Sequence, residues 1–159
     1  MSERTGRCLC GTVRFRAAEV ADDLGACWCD MCRRWAGGPF IAAAARGVTF
    51  EGAEAIRAYA SSDWAERAVC GRCGSTLYFR VTAPGPHGDG AYELAIGLFD
   101  DTTGMRLKTE IFVDRQPDAY ALQAGLTRKT GAEFLAELGI ETPDGQSDDH
   151  DPSQSQGGQ

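Results

Sequence analysis

The feature that most constrains this chain is the placement of its seven cysteines within 159 residues. They fall into three clusters. The first cluster is Cys8-x-Cys10, the central cluster is Cys27-x-Cys29-x-x-Cys32, and the third cluster is Cys70-x-x-Cys73. Thiols at such short, regular spacing are typical of metal knuckles, because neighbouring thiolates can reach one zinc ion. An odd number of cysteines cannot pair completely into disulfides, and the N-terminal residues lack the apolar stretch of a secretory signal. We therefore expect a cytoplasmic protein, kept reduced, whose cysteines bind metal.

The three clusters can be combined in two ways. In one assignment the first and third clusters form a closed four-cysteine zinc site, and the central cluster holds a second zinc with one coordination position free. In the other, the two Cys-x-x-Cys knuckles form a zinc ribbon from Cys29, Cys32, Cys70 and Cys73. We favour two zinc ions per chain, because that assignment uses every thiol, whereas the ribbon leaves three without a role. Ordinary apolar burial is disfavoured for cysteines spaced so regularly beside Gly and Arg.

The composition predicts a mainly β protein. With 20 glycines and 9% aromatic residues, the chain favours turns and short strands. Apolar or alternating stretches predict strands over residues 10–17, 39–45, 48–50, 76–81, 92–99 and 108–113. A capping box at Thr130 and Glu133 predicts a short C-terminal helix that ends at Gly139. We expect one zinc domain over residues 1–140 and a disordered acidic, polar tail over residues 141–159, which contain no large apolar side chain.

The charge distribution argues against nucleic acid as a partner. Of the net charge of −7, residues 141–159 carry −5, so the remainder of the chain carries only −2. It has no basic stripe, and binding to phosphate backbones depends on clustered Lys and Arg. No stretch approaches the roughly 18 consecutive apolar residues that a membrane span requires. We therefore expect neither nucleic acid nor a membrane as a partner.

Three motifs together resemble a known family. They are Gly6-x-Cys8-x-Cys10-Gly11-x-Val13-x-Phe15, Cys27-x-Cys29-x-x-Cys32-Arg33-Arg34 with Gly37, and Cys70-x-x-Cys73-Gly74-Ser75-x-Leu77-Tyr78. On these residues the chain resembles the glutathione-dependent formaldehyde-activating enzyme (GFA) family, whose domain is also called the CENP-V/GFA domain. The resemblance extends over about residues 6–113.

The resemblance implies a fold, a metal content and a reaction. It implies coiled antiparallel sheets pinned by zinc, with a structural zinc on Cys8, Cys10, Cys70 and Cys73 and a second, catalytic zinc on Cys27, Cys29 and Cys32. It further implies a carbon-sulfur lyase/synthase of the S-(hydroxymethyl)glutathione synthase type. Such an enzyme adds a small-molecule thiol such as glutathione to formaldehyde or another small aldehyde. The alternative is a non-catalytic, zinc-stabilised β module that binds a protein or a small ligand.

Several residues near the central cluster are candidates for substrate binding. Arg33 and Arg34 could pair with the carboxylates of glutathione or balance the charge of the thiolates. Trp28 could line a substrate cleft or fill the core. Asp30 most simply caps the turn. Far from this cluster in the sequence, Glu110 and Asp114 flank an apolar stretch and are most simply charges at the end of a strand.

Overall fold

The computed structural model describes residues 1–85 and 90–140, and within them it shows a mainly β fold. Nine strands form one sheet: β1 (Ser2–Arg7), β2 (Arg14–Cys27), β3 (Phe40–Glu51), β4 (Ile56–Ser62), β5 (Ala65–Cys70), β6 (Thr76–Val81), β7 (Tyr92–Ala95), β8 (Arg106–Ile111) and β9 (Thr127–Lys129). Two short helices accompany the sheet: α1 (Asp30–Ala36) and α2 (Gly131–Glu137). Single 3-10 turns occupy Ala53–Ala55, Ile96–Leu98 and Val113–Arg115. No helix among the described residues is long and apolar enough to cross a membrane.

The sheet is mixed. Its strand order is β4-β5-β6-β7-β3-β2-β8-β9, and β1 pairs with β2 in addition. Among the described strands six pairings are antiparallel, whereas β8 runs parallel to both β2 and β9. Parallel neighbours need a long connection between them, and β2 and β8 are separated by most of the domain. The predicted mainly β class is therefore confirmed, with two parallel pairings added to the antiparallel ones.

The long strand β2 organises the sheet. Along one edge, its first half pairs with β1 and its second half, from Asp23 to Cys27, pairs with β8; along the other edge it pairs with β3. Exposed residues of β2 alternate with buried ones such as Phe15, Ala17 and Val20, so one face of the strand packs into the core. A shift of register between Val20 and Leu24 bends the strand. Strand β2 thus begins after the first cysteine cluster and ends at Cys27, the first residue of the central cluster.

The alanine run in β3 separates two packed regions. Ala43 and Ala45 face the main core, whereas Ala42 packs with the central cysteines in a second, smaller apolar cluster. Successive strand residues point to opposite faces, so small side chains here let apolar groups approach the sheet from both sides. The prediction of a strand over residues 39–45 is confirmed, although the strand continues through residues 48–50 to Glu51.

The remaining elements were predicted with mixed accuracy. The capping box is present: the Thr130 side chain accepts from the backbone of Glu133, and the Glu133 side chain accepts from the Thr130 backbone. Strand β6 matches the predicted range 76–81, whereas the predicted strand 92–99 ends at Ala95, because a 3-10 turn follows. The loop between β6 and β7 falls partly outside the described residues, and so does the predicted tail over 141–159.

Candidate metal centres and active site

The first and third cysteine clusters meet in one group of four thiols. The sulfur atoms of Cys8, Cys10, Cys70 and Cys73 all lie within 4.8 Å of one another. The Cys8 and Cys10 sulfurs are 3.5 Å apart, and those of Cys10 and Cys70 are 3.9 Å apart. The two loops are joined directly, since the backbone N–H of Leu9 donates to the Ser75 hydroxyl at 3.0 Å. We call this group the cysteine quartet.

Glycines allow the two loops of the quartet to turn so tightly. Gly11 and Gly74 follow the two cysteine pairs with φ of 72° and 75°, in the left-handed region that other residues rarely adopt. Their N–H groups donate to the carbonyls of Cys8 and Cys70, at 3.0 and 2.8 Å. The Cys-Gly pairs of the sequence motif therefore have a conformational reason.

The central cysteines form a separate group, which we call the cysteine trio. The sulfurs of Cys27, Cys29 and Cys32 lie within 4.8 Å of one another. Cys27 ends β2, Cys29 is the N-cap of α1, and Cys32 lies within that helix. The Cys29 sulfur accepts from the Cys32 backbone N–H at 3.4 Å. The structure therefore groups the seven thiols as four and three, and the four knuckle cysteines of the alternative zinc ribbon do not form one site.

The proximity of the three thiols changes their acidity. Hydrogen bonds from Cys27 and then Cys32 lower the pKa of Cys29 to about 2. Hydrogen bonds to Cys29 and Cys32, together with burial, raise the pKa of Cys27 well above its ordinary value. Cys32 has its pKa raised to about 11: the hydrogen bond from Cys27 lowers it, but the bond to Cys29, burial and the Cys29 charge outweigh this effect. One thiolate therefore forms readily, and ionising all three requires a cation among them.

Both cysteine groups fit zinc. Zinc–thiolate bonds of about 2.3 Å in a tetrahedron place neighbouring sulfurs about 3.8 Å apart. The sulfur–sulfur separations of 3.5 and 3.9 Å in the quartet bracket that value. Four thiolates complete the tetrahedron, whereas three leave a position for a further ligand. The structure therefore provides one donor set that is closed and one that is open.

Arg67 lies against the trio and was not predicted from the sequence. It is only 7% exposed, and its Nη2 lies 3.5 Å from the Cys32 sulfur. Nη1 donates to the Ser61 hydroxyl, and the guanidinium lies 5.0 Å from the centre of the Phe79 ring. Within the described residues, no carboxylate forms an ion pair with Arg67, and the Nε atom of Arg67 has no hydrogen-bond partner. A buried cation is costly without an anion, so Arg67 indicates negative charge on the trio.

Trp28 anchors the trio to the core. It is completely buried, and its indole N–H donates to Glu110 at 3.0 Å. Glu110 is itself only 3% exposed, and it pairs with Arg128 at 3.0 Å. The interpretation of Glu110 as a plain strand-end charge is therefore wrong, because the strand end is covered and the carboxylate is bonded on both oxygens. Of the two roles considered for Trp28, the structure supports burial, since the side chain is completely buried and packs on Tyr120 with ring centres 5.4 Å apart.

The predicted substrate-binding arginines lie on α1 beside the trio. Arg33 pairs with Asp30, which also lies 3.7 Å from Arg115. Asp30 therefore joins two arginines, in addition to starting the helix. Arg34 is exposed. Neither arginine, nor Trp28, is among the residues that line the adjoining cavity.

A cavity of about 540 Å³ opens beside the trio, and all three of its cysteines line the wall. The wall is built from the second half of β2, from β3, β5, β6, β7 and β8, and from α2. Apolar side chains form most of it, including Phe79, Phe112 and Phe134. Phe112 has the left-handed φ of 57° and packs on Phe134 with ring centres 5.9 Å apart. The arrangement is that of a ligand site: a few polar groups in an apolar cleft.

Glu93 places a carboxyl group in the same cavity. It lies on β7 opposite Ala44 of β3 and Phe79 of β6. Burial raises its pKa from the ordinary 4.5 to about 7. The next residue on the same face, Ala95, packs against the cluster that contains Cys29 and Cys32. Residues two apart on a strand are separated by about 7 Å, so Glu93 lies near the trio. Its signal in the sequence is a single charge within the apolar stretch Tyr92-Glu93-Leu94-Ala95-Ile96.

The family described as glutathione-dependent formaldehyde-activating enzyme (GFA) matches residues 3–115, and the chain belongs to this family. The match includes all seven cysteines as well as Arg67 and Glu93. The predicted family is confirmed.

Relatives show similarity over most of the chain. An uncharacterized lyase of Schizosaccharomyces pombe is 33% identical over 121 residues, which are 76% of this chain and 85% of the relative. A Halomonas elongata protein named for glutathione-dependent formaldehyde activation is 27% identical over 155 residues, 86% of this chain and 96% of the relative. The match to a crystal structure of a Rhodobacter sphaeroides protein covers 79% of this chain and 99% of the chain in that structure, with 22% sequence identity and a TM-score of 0.47.

Proposed function

We propose that this protein is a zinc-dependent carbon-sulfur lyase/synthase, which reversibly adds a small-molecule thiol such as glutathione to an aldehyde. The observation that carries the proposal is the contrast between the two thiol groups. The quartet is complete in itself, whereas the trio supplies three donors on the wall of a cavity large enough for a ligand. The names of the relatives, a lyase and a protein of formaldehyde activation, support the same reaction class.

The proposal includes two zinc ions per chain, a structural one in the quartet and a catalytic one in the trio. Zinc held by Cys27, Cys29 and Cys32 would supply Lewis acidity and would lower the pKa of an incoming thiol. Three thiolates around a divalent ion carry a net charge of −1, and Arg67 balances that charge from within the protein. The zinc of the quartet contributes folding free energy, on the order of 10 kcal/mol for a structural site.

The reaction is balanced without an oxidant or a reductant. The thiol sulfur forms a bond to the carbonyl carbon, the C=O π pair moves to oxygen, and the thiol proton ends on that oxygen. With formaldehyde the product is an S-hydroxymethyl thiol. The cavity holds thiol and aldehyde together, which supplies proximity, and its apolar wall excludes water from the carbonyl.

Glu93 is our candidate for the proton transfer. Its pKa of about 7 leaves both protonation states populated near neutral pH, which suits a general acid/base. The protonated carboxyl group donates to the developing alkoxide during addition, and the carboxylate takes the hydroxyl proton in the reverse direction. Among the described residues that line the cavity, Asp23 is the other carboxylate, and it is exposed.

The experiment that tests the proposal is a count of zinc per chain, for wild type and Cys29→Ala purified without chelator. We expect two zinc ions in wild type and one in Cys29→Ala, with the thermal melt by circular dichroism retained. Formation of the adduct from glutathione and formaldehyde, followed by NMR, should be catalysed by wild type alone. One zinc in both proteins, without recovery of a second on added zinc, would refute the mechanism. Unchanged catalysis by Cys29→Ala would do the same.

A further inference from the structure

The cavity beside the trio is far larger than formaldehyde requires. A water molecule occupies about 30 Å³ in the liquid, and formaldehyde has only one more heavy atom. The cavity measures about 540 Å³, so formaldehyde fills only a small part of it. The remaining volume belongs to the thiol or to a larger substituent on the aldehyde.

The chemistry of the wall distinguishes between these occupants. Half-buried apolar side chains project from three separate parts of the chain: β6, the segment after β8, and α2 with its C-cap. They are Phe79, Val81, Phe112, Phe134, Leu135 and the C-cap residue Leu138. Such a surface gains little from a charged ligand, whereas it is stabilised when an apolar group displaces water from it.

The cations on the wall are already engaged. Arg80 pairs with Glu66 at 2.8 Å and stacks on Tyr92 at 5.2 Å, and Arg67 is held by Ser61 and the trio. Arg46 also has a partner. Glutathione carries two carboxylates and an ammonium group, and these find no uncommitted arginine among the described residues of the wall. The polar ends of a thiol such as glutathione therefore suit the mouth of the cavity better than its apolar interior.

We propose that the aldehyde taken by this site carries an apolar substituent, aliphatic or aromatic, of the size found in hexanal or benzaldehyde. This inference rests on the function proposed above and names its substrate class. The substituent packs between β6 and α2, while the carbonyl group faces the trio and Glu93. The thiol R–SH and the aldehyde R′–CHO give R–S–CH(OH)–R′, with the same bond changes as for formaldehyde.

A substrate series tests the inference on zinc-loaded protein. With the thiol fixed, first as glutathione and then as 2-mercaptoethanol, kcat/KM is measured for formaldehyde, butanal, hexanal and benzaldehyde. Since each buried methylene group contributes about 0.8 kcal/mol, kcat/KM should rise about three- to fourfold per methylene from butanal to hexanal. Formaldehyde as the best substrate, with a flat or falling series above it, would overturn the inference.

One variant at the C-cap of α2 and one within that helix test where the substituent lies. Leu138→Trp fills the apolar end of the cavity, and we expect the ratio of kcat/KM for hexanal to that for formaldehyde to fall at least tenfold. Ala132→Trp adds the same side chain to an exposed position of the same helix and should leave that ratio within twofold of wild type. Equal ratios in Leu138→Trp and wild type would contradict the proposed location.

Binding without turnover separates this inference from the proposed function. 1-Hexanol has the substituent but no carbonyl, and its binding is followed by NMR shifts of the Leu135 and Leu138 methyl groups. Saturable shifts of these groups, stronger with 1-hexanol than with 1-butanol, would support the apolar subsite even if no aldehyde were turned over. In Leu138→Trp the Leu135 methyl groups remain as the reporter, and their shifts should be lost. Absence of saturable shifts would overturn the subsite, even if formaldehyde and glutathione reacted.

Discussion

Replacing Arg67 by Met should weaken metal binding at the cysteine trio while leaving the quartet intact. The distance of 3.5 Å between Nη2 and the Cys32 sulfur sets the scale of the effect. At an effective dielectric constant of about 20, two unit charges at that separation attract by about 5 kcal/mol. Methionine also removes the desolvation cost of the buried guanidinium, which offsets part of the loss. We expect a net effect of about 1.4 to 3 kcal/mol, a 10- to 100-fold weaker affinity for the second metal ion.

The assay is a competition between the protein and a chromophoric chelator for zinc, supported by cobalt titration, in which thiolate-to-metal absorption bands report each site. Arg80→Met is the matched control, because Arg80 also lines the cavity and stacks on a ring, but its carboxylate partner is Glu66. Arg67→Lys retains the charge without the guanidinium geometry and should fall between wild type and Arg67→Met. If Arg67→Met binds the second ion as tightly as Arg80→Met and wild type do, Arg67 is not the counter-charge of the trio.

Three further predictions concern other parts of the domain. Burial raises the pKa of Glu93 to about 7, so wild type should lose about 3 kcal/mol of stability as pH rises from 4.5 through 7. Glu93→Gln should lack that loss, which is checked by measuring the free energy of unfolding in urea at pH 5 and pH 8 for both proteins. The same change in stability with pH in Glu93→Gln and wild type would contradict the prediction. Gly131→Ala places a Cβ 2.7 Å from the Phe112 ring, so we expect a loss of about 1–3 kcal/mol in urea unfolding and an increase in KM at unchanged zinc content. Cys73→Ala should abolish cooperative thermal unfolding, because the quartet loses a ligand; an unchanged melt would refute its structural role.

The predictable parts of the site were those encoded by spacing. Thiols two or three residues apart in glycine turns point to a common centre, so each cysteine cluster is predictable from local geometry. Spacing did not decide which clusters share a metal, and the four-plus-three grouping was favoured because it uses every thiol. The capping box at Thr130 is equally local, and it is found as predicted. These features depend on neighbours in the chain rather than on the packing of distant strands.

The parts that were missed depend on which strands meet. Arg67 follows Glu66 in β5, and nothing in this pair of charged residues marks one of them as buried; the burial of Arg67 arises because Phe79 and the trio cover it. Glu110 is buried because Trp28 and Arg128 reach it from other elements. The parallel pairing of β8 with β2 produces that contact, and nothing in the local pattern of either strand specifies a parallel neighbour.

The topology makes the two cysteine groups unequal. The quartet joins the loop that precedes β2 to the end of β5 and the loop that follows it, since two of its cysteines lie in each place. The trio depends on the same two strands, because β2 ends at Cys27 and β5 carries Arg67, three residues before Cys70. A strand rises about 3.3 Å per residue, so Arg67 lies only about 10 Å along β5 from a cysteine of the quartet. Loss of the quartet should therefore displace both a ligand and the counter-charge of the trio, whereas loss of the trio removes no support from the quartet. Cys73→Ala should consequently lose both zinc ions, and Cys29→Ala only one.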